Sequence, residues 1–156
     1  MTDGFLPSIR YVVAEDLKDL RAGVEGLPGE ALDWKPASDD TNSIAVLVTH
    51  VLGSTRWWMS VAVDAARPDR DRDSEFLVKS GDTAALLEFM DDFSKQILAI
   101  IDGAKDVDWA AQRKLPGDTP DAVPASFAVL HAIEHLREHV AHVGLTRQLW
   151  EARGQV

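Results

Sequence analysis

Cysteine is absent from this chain of 156 residues. A protein without cysteine has no disulfide, no thiolate nucleophile of its own and no cysteine-ligated zinc site. Any transition-metal site must therefore use histidine together with carboxylates, and any thiol that takes part in a reaction must come from a substrate.

Long apolar runs and positive charge are also scarce. No apolar run approaches the roughly 18 residues that a membrane span requires, and residues 1–7 lack the basic-then-apolar layout of a signal peptide. We therefore expect a cytoplasmic protein with no membrane partner. Lys and Arg number 16 against 26 Asp and Glu, a formal net charge of −10, which disfavours a nucleic-acid partner because it repels phosphate backbones. The most basic stretch, residues 67–72, is interleaved with aspartates and carries little net field.

Apolar residues that recur every three or four positions predict four helices and no strands. The predicted helices cover residues 6–27, 44–66, 83–103 and 125–153, with Ser43 as an N-cap and Gly103 and Gly154 at C-terminal ends. The connections at residues 30–42 and 104–124 are long for a helical bundle. The sequence therefore predicts one all-α domain, residues 1–156, folded as a four-helix bundle with long connections between helices 1 and 2 and between helices 3 and 4.

Histidine placement is the most informative feature of the sequence. Four of the five histidines share one face of the last predicted helix, within an arc of about 80° around its axis: His131, His135, His139 and His142. The fifth, His50, lies in the middle of the second predicted helix. Two histidines at i and i+4 can converge on one ion, and a third ligand from a facing helix leaves coordination positions open for water or substrate. A divalent metal site is therefore predicted, with Zn²⁺, Ni²⁺ and Fe²⁺ all compatible; a row of purely structural histidines is the alternative.

Two stretches of the sequence resemble the DinB-like family. The first stretch comprises Leu-Asp-Trp-Lys-Pro at residues 32–36 and the run from Ser43 to His50. The second comprises residues 131–139 and Thr-Arg-Gln-Leu at residues 146–149. The resemblance implies a commonly dimeric four-helix bundle whose metal ligands here are His50, His135 and His139. It also implies that His131 is a catalytic or pocket group that orients a ligand or handles protons. Relatives include mycothiol-dependent maleylpyruvate isomerase, which implies a metal-dependent S-transferase or hydrolase that uses a small thiol such as mycothiol or bacillithiol.

Three alternatives remain open at this stage. Many relatives have glycine two positions after the final ligand, where this chain has Ala141; a shifted frame gives His50, Glu138 and His142, followed by Gly144. The protein could instead be a non-catalytic, stress-associated metal-binding dimer, or a bundle without metal. Four tryptophans, Trp34, Trp57, Trp58 and Trp109, are candidates to line a pocket over the metal.

Overall fold

Six helices and one short hairpin form the part of the chain that the computed structural model describes, residues 4–38, 40–115 and 121–153. The helices are α1 (Phe5–Val24), α2 (Gly29–Leu32), α3 (Ile44–Ala62), α4 (Arg72–Glu75), α5 (Thr83–Gly103) and α6 (Ala125–Ala152). Strand β1 (Gln112–Lys114) pairs antiparallel with β2 (Ala122–Pro124), with Arg113 opposite Val123. None of the described helices combines the length and the apolar character needed to cross a membrane.

The helix ends follow from local sequence chemistry. The Ser43 hydroxyl accepts a hydrogen bond from the Val46 backbone amide at 3.4 Å, which confirms the predicted N-cap of α3. The Asp82 carboxylate caps α5 in the same way by accepting from the backbone amides of Ala84 and Ala85. Helix α1 ends at Val24, and Gly26 follows in the left-handed region with φ of +78°, a conformation that glycine adopts without steric cost.

The four long helices share one apolar core. Helix α3 is the most buried and packs mainly against α6 and α5, while α1 packs against the same two helices. Each of the four helices contributes fully buried side chains to this core, among them Leu20, Leu52, Ile97 and Leu136. The α3–α6 contact is the most extensive in the fold, and it brings His50 opposite the histidine row of α6.

Arginines of α6 tie that helix to α1. Arg137 Nη1 donates to Asp16 at 2.9 Å and to Asp19 at 2.7 Å, and Asp16 is only 5% exposed. Arg147 Nη1 donates to the backbone carbonyls of Ala22 and Glu25, at 3.0 and 2.8 Å. These carbonyls lie at the C-terminal end of α1 and lack helical partners, so Arg147 caps that end.

The all-α prediction is confirmed, but the prediction of four helices and no strands is incomplete. Two single-turn helices, α2 and α4, and the hairpin lie in segments that were predicted to be loops. The first two predicted helices end three and four residues too late, at residues 27 and 66 instead of Val24 and Ala62. Gly103 is the last residue of α5 and not a left-handed cap, and Gly154 lies outside the described residues.

Candidate metal centre

The Nδ1 atom of His50, on α3, lies closest to an acidic side chain, and Arg70 Nη2 lies 3.5 Å from the same atom. The His50 side chain is almost fully buried, and its Nδ1 lies 2.9 Å from Glu75 Oε2. An ionised carboxylate can only accept, so Nδ1 donates and carries the imidazole proton. The Nε2 lone pair is therefore free to bind a metal, which is the tautomer that ligating histidines need.

Glu75 is itself fixed from two sides. It closes the short helix α4, and Arg70 grips its carboxylate with two hydrogen bonds, Nε to Oε1 at 2.7 Å and Nη2 to Oε2 at 2.8 Å. On the α3 side, Gly53 leaves the space that the carboxylate occupies, because a Cβ there would lie 2.5 Å from Glu75 Oε1. None of Glu75, Arg70 and Gly53 was predicted from the sequence as part of the site. Glycine one turn after His50 was the only local signal, and it did not identify a partner 25 residues along the chain.

His135 and His139 face His50 from successive turns of α6. Their Nε2 atoms are 3.2 Å apart, and their ring centroids lie 5.2 and 5.3 Å from the ring of His50. One ring nitrogen from each of the three histidines falls within 4.8 Å of the others. Tetrahedral zinc with bonds of about 2.05 Å places ligand nitrogens about 3.3 Å apart, so the pair on α6 already has the separation of two ligands on one ion.

The surroundings lower the pKa of all three imidazoles, which favours their neutral form. Burial lowers the pKa of His135 to about 4, helped by the nearby charges of His50 and His131. Burial likewise lowers the pKa of His139 to about 4, with repulsion from His135 and His50 as the next causes. The pKa of His50 is lowered too, chiefly by burial, although its hydrogen bond to Glu75 acts in the opposite direction. Neutral imidazole is the form that binds metal.

The other sequence-predicted residues lie outside this group. His131 is half-buried, stacks on Phe127 with an interplanar angle of 4° and meets the edge of Trp58 at 4.7 Å. Glu138 and His142 are exposed. Within residues 4–38, 40–115 and 121–153, His50, His135 and His139 form the one cluster of three or more potential ligands, so the alternative set with Glu138 is not assembled.

A cavity of about 380 Å³ opens onto two of the three histidines. It is lined by His50, Ser54, Trp57, Trp58, Arg70, Arg72, His131 and His135. Two of the four candidate tryptophans therefore do line a pocket beside the cluster. The other two pack elsewhere, Trp34 against Trp150 and Trp109 against Phe5.

Two of the three histidines have a buried ring nitrogen without a partner in the described part of the chain, which an ordinary core role does not explain. The Nδ1 atoms of His135 and His139 are buried, and neither has a hydrogen-bond partner among the described residues. Buried unpaired polar atoms destabilise a fold, so a packing role alone leaves an uncompensated cost at these two residues. The Nε2 atoms of the same two residues lie 3.2 Å apart, and one ring nitrogen from each of the three histidines falls within 4.8 Å of the others, so the residues present fit a divalent metal.

Comparison with known proteins gives a family and a fold. The family model of the DinB superfamily matches residues 14–143, a range that includes all three clustered histidines. A conserved protein from Enterococcus faecalis has a similar structure, with a TM-score of 0.72 and 11% sequence identity. The alignment covers 93% of this chain and 96% of that chain, which shows a shared fold. No curated protein matches this chain.

Proposed function

Because this chain belongs to the DinB superfamily, we propose that it is a metal-dependent enzyme whose ligands are His50, His135 and His139. The observation that carries the proposal is a cluster of three neutral imidazoles with a cavity that reaches two of them. Catalytic metal sites commonly have three protein ligands and leave a position open, whereas structural sites are closed by four. A bound divalent ion would lower the pKa of a water or thiol ligand, which suits hydrolysis or thiol transfer.

The chain's own residues have separate tasks in this proposal. Glu75 fixes the tautomer and ring orientation of His50, and Arg70 holds Glu75 in place. Arg70 and Glu75 cancel in charge, so the three neutral histidines leave the full charge of the ion to act on its ligand. His131 lines the cavity beyond the cluster, where its imidazole could accept or deliver a proton at the substrate. A small thiol such as mycothiol or bacillithiol is the proposed second substrate.

Metal analysis of tag-free protein is the first test of the metal site. We expect near-stoichiometric zinc, nickel or iron in the parent protein and little in the His50→Ala and His135→Ala variants. The matched control is His142→Ala, because His142 lies on the same helix but is exposed and outside the cluster. Equal metal in all four proteins, or none in the parent after incubation with the three ions, would rule out the proposed ligands.

Turnover then separates an enzyme from a non-catalytic metal-binding protein. The loaded protein is assayed with small thiols paired with electrophiles and with a panel of esters. His131→Gln should lower kcat while the metal content stays at the parent level. A loaded protein that turns over neither class would favour the non-catalytic alternative.

A second copy of the chain is the proposed partner. Four large apolar side chains of α6 are at least 44% exposed and fall within about 100° around the helix axis: Phe127, Leu130, Leu145 and Leu149. Such a stripe on one face of a helix is suited to a self-complementary contact. Sedimentation velocity should show a dimer that Leu145→Glu converts to a monomer. Leu77→Glu, at an exposed leucine that is not part of α6, is the control.

A further inference from the structure

The cavity beside the histidine cluster differs in charge from the chain as a whole. The chain has 26 acidic and 16 basic residues, yet the cavity lining contains two arginines and no acidic residue. The lining therefore favours an anion in a protein whose average surface repels one.

The two arginines are not equivalent. Arg70 is committed to Glu75 by two hydrogen bonds. Arg72 contacts the Phe76 ring, with its guanidinium carbon 5.1 Å from the ring centroid, and makes no hydrogen bond or ion pair with any other residue of the described ranges. Its neighbour Asp71 is engaged instead in capping α4 at the Ser74 amide. Arg72 thus keeps a planar set of donors available at the cavity, a geometry that binds carboxylate or phosphate with two parallel hydrogen bonds.

Aromatic rings form the cavity wall next to these donors. Trp57 and Trp58 meet edge to face with centroids 5.0 Å apart, and Trp58 in turn meets His131. With Phe127, whose ring centroid lies 6.3 Å away, these contacts give the indole of Trp58 three ring neighbours and limit its movement. A rigid aromatic wall favours a flat apolar group that can pack against it.

We infer that the cavity binds a small molecule that carries an oxyanion on a flat apolar body, with Arg72 and Trp58 as the residues that select it. The oxyanion can be a carboxylate or a phosphate ester, since both present paired oxygens to a guanidinium. The inference rests on the proposed function, because it names the substrate class of that same metal site.

Isothermal titration calorimetry of zinc-incubated protein with four probes tests the inference. Benzoate and phenyl phosphate carry both features, acetate carries only the anion and benzyl alcohol carries only the ring. We expect one or both of the first two probes to bind about tenfold or more tightly than acetate and benzyl alcohol. Arg72→Gln should weaken the better probe by about tenfold, the usual effect of losing a charged hydrogen-bonding partner. Trp58→Leu should weaken it by about fivefold.

The control variant is Arg10→Gln, which removes an exposed guanidinium paired with Asp102 and leaves the cavity lining unchanged. Zinc content is measured on the same samples, so the two proposals can fail separately. Bound zinc without a preference for the flat anions, or with a preference that survives Arg72→Gln, overturns the inference and leaves the metal site standing. If the protein holds no zinc, the same titrations still decide the inference, because Arg72 and Trp58 belong to the chain.

Discussion

Substitution of Gly53 by alanine should weaken metal binding without placing any new atom on a metal ligand. The added Cβ would lie 2.5 Å from Glu75 Oε1 and 3.3 Å from its Cδ, where ordinary contact begins at 3.4 Å. The carboxylate must therefore retreat by about 0.9 Å from a helix whose backbone cannot yield. Arg70 opposes that shift with two hydrogen bonds, one of them to the displaced Oε1. The other oxygen of the same carboxylate makes the 2.9 Å bond to His50 Nδ1, so moving the carboxylate disturbs that bond too.

The expected result is a zinc affinity about 10- to 100-fold lower than that of the parent, the usual effect of losing a partner that orients a ligating histidine. Overpacking should also lower the free energy of unfolding by about 1–3 kcal/mol. Competition with a chromogenic chelator measures the affinity, and chemical denaturation followed by circular dichroism measures the stability. Gly144→Ala on α6 is the matched control, since a Cβ there meets nothing within 4 Å.

A double-mutant cycle shows whether Gly53→Ala acts through Glu75. Glu75→Gln alone should lower zinc affinity to a similar degree, and the two changes together should cost much less than the sum of their separate effects. A folded Gly53→Ala protein that binds zinc as tightly as the parent would refute the assignment of Glu75 as the group that orients His50. If the losses of zinc affinity in the two single variants add fully in the double variant, Gly53→Ala does not act through Glu75.

Three further predictions concern metal removal, pH and the contact between α1 and α6. Removing zinc with a chelator should lower the free energy of unfolding by about 2.7 kcal/mol, compared with protein in free zinc at 100 times its Kd. An unchanged melting temperature after chelation would contradict this prediction. In the metal-free protein, stability should fall as the pH drops from about 6.5 toward 4. The reason is that the unfolded chain protonates its histidines first, while the pKa values of His135 and His139 in the fold are about 4; denaturation curves at several pH values test the sign. Arg137→Ala should destabilise the fold by about 1–3 kcal/mol because it leaves the buried Asp16 carboxylate without its partner. The corresponding loss for Lys95→Ala, in an exposed pair with Asp92, should be below about 0.5 kcal/mol.

The parts of the fold that the sequence predicted are those with a periodic signal. The four long helices repeat apolar residues at helical spacing, and Ser43 marks the start of α3 with a side chain that caps. The hairpin carries no such signal, because strands of three residues are too short to show alternation and β2 ends in Pro124. Helices α2 and α4 are single turns, which also lie below the length at which periodicity can be read.

In the candidate site, too, only the residues on the long helices were predicted from the sequence. The spacing of His135 and His139 predicts their convergence because one helix fixes both, and His50 was the remaining histidine on a helix that could face them. Glu75 and Arg70 could not be found this way. They lie in an alternating run of charges that is typical of an exposed loop, and only the tertiary packing of α4 on α3 buries them against His50.

The proposed ligands also set the order in which this protein can assemble. His50 and His135 are 85 positions apart, so an ion held by both would close a loop that contains α4, α5 and the hairpin. Closing so long a loop in an unfolded chain is entropically costly, and the unfolded state offers an ion only the local pair on α6. Metal binding therefore cannot nucleate this fold as it does in a zinc finger. An occupied centre would instead report that α3 and α6 have already docked.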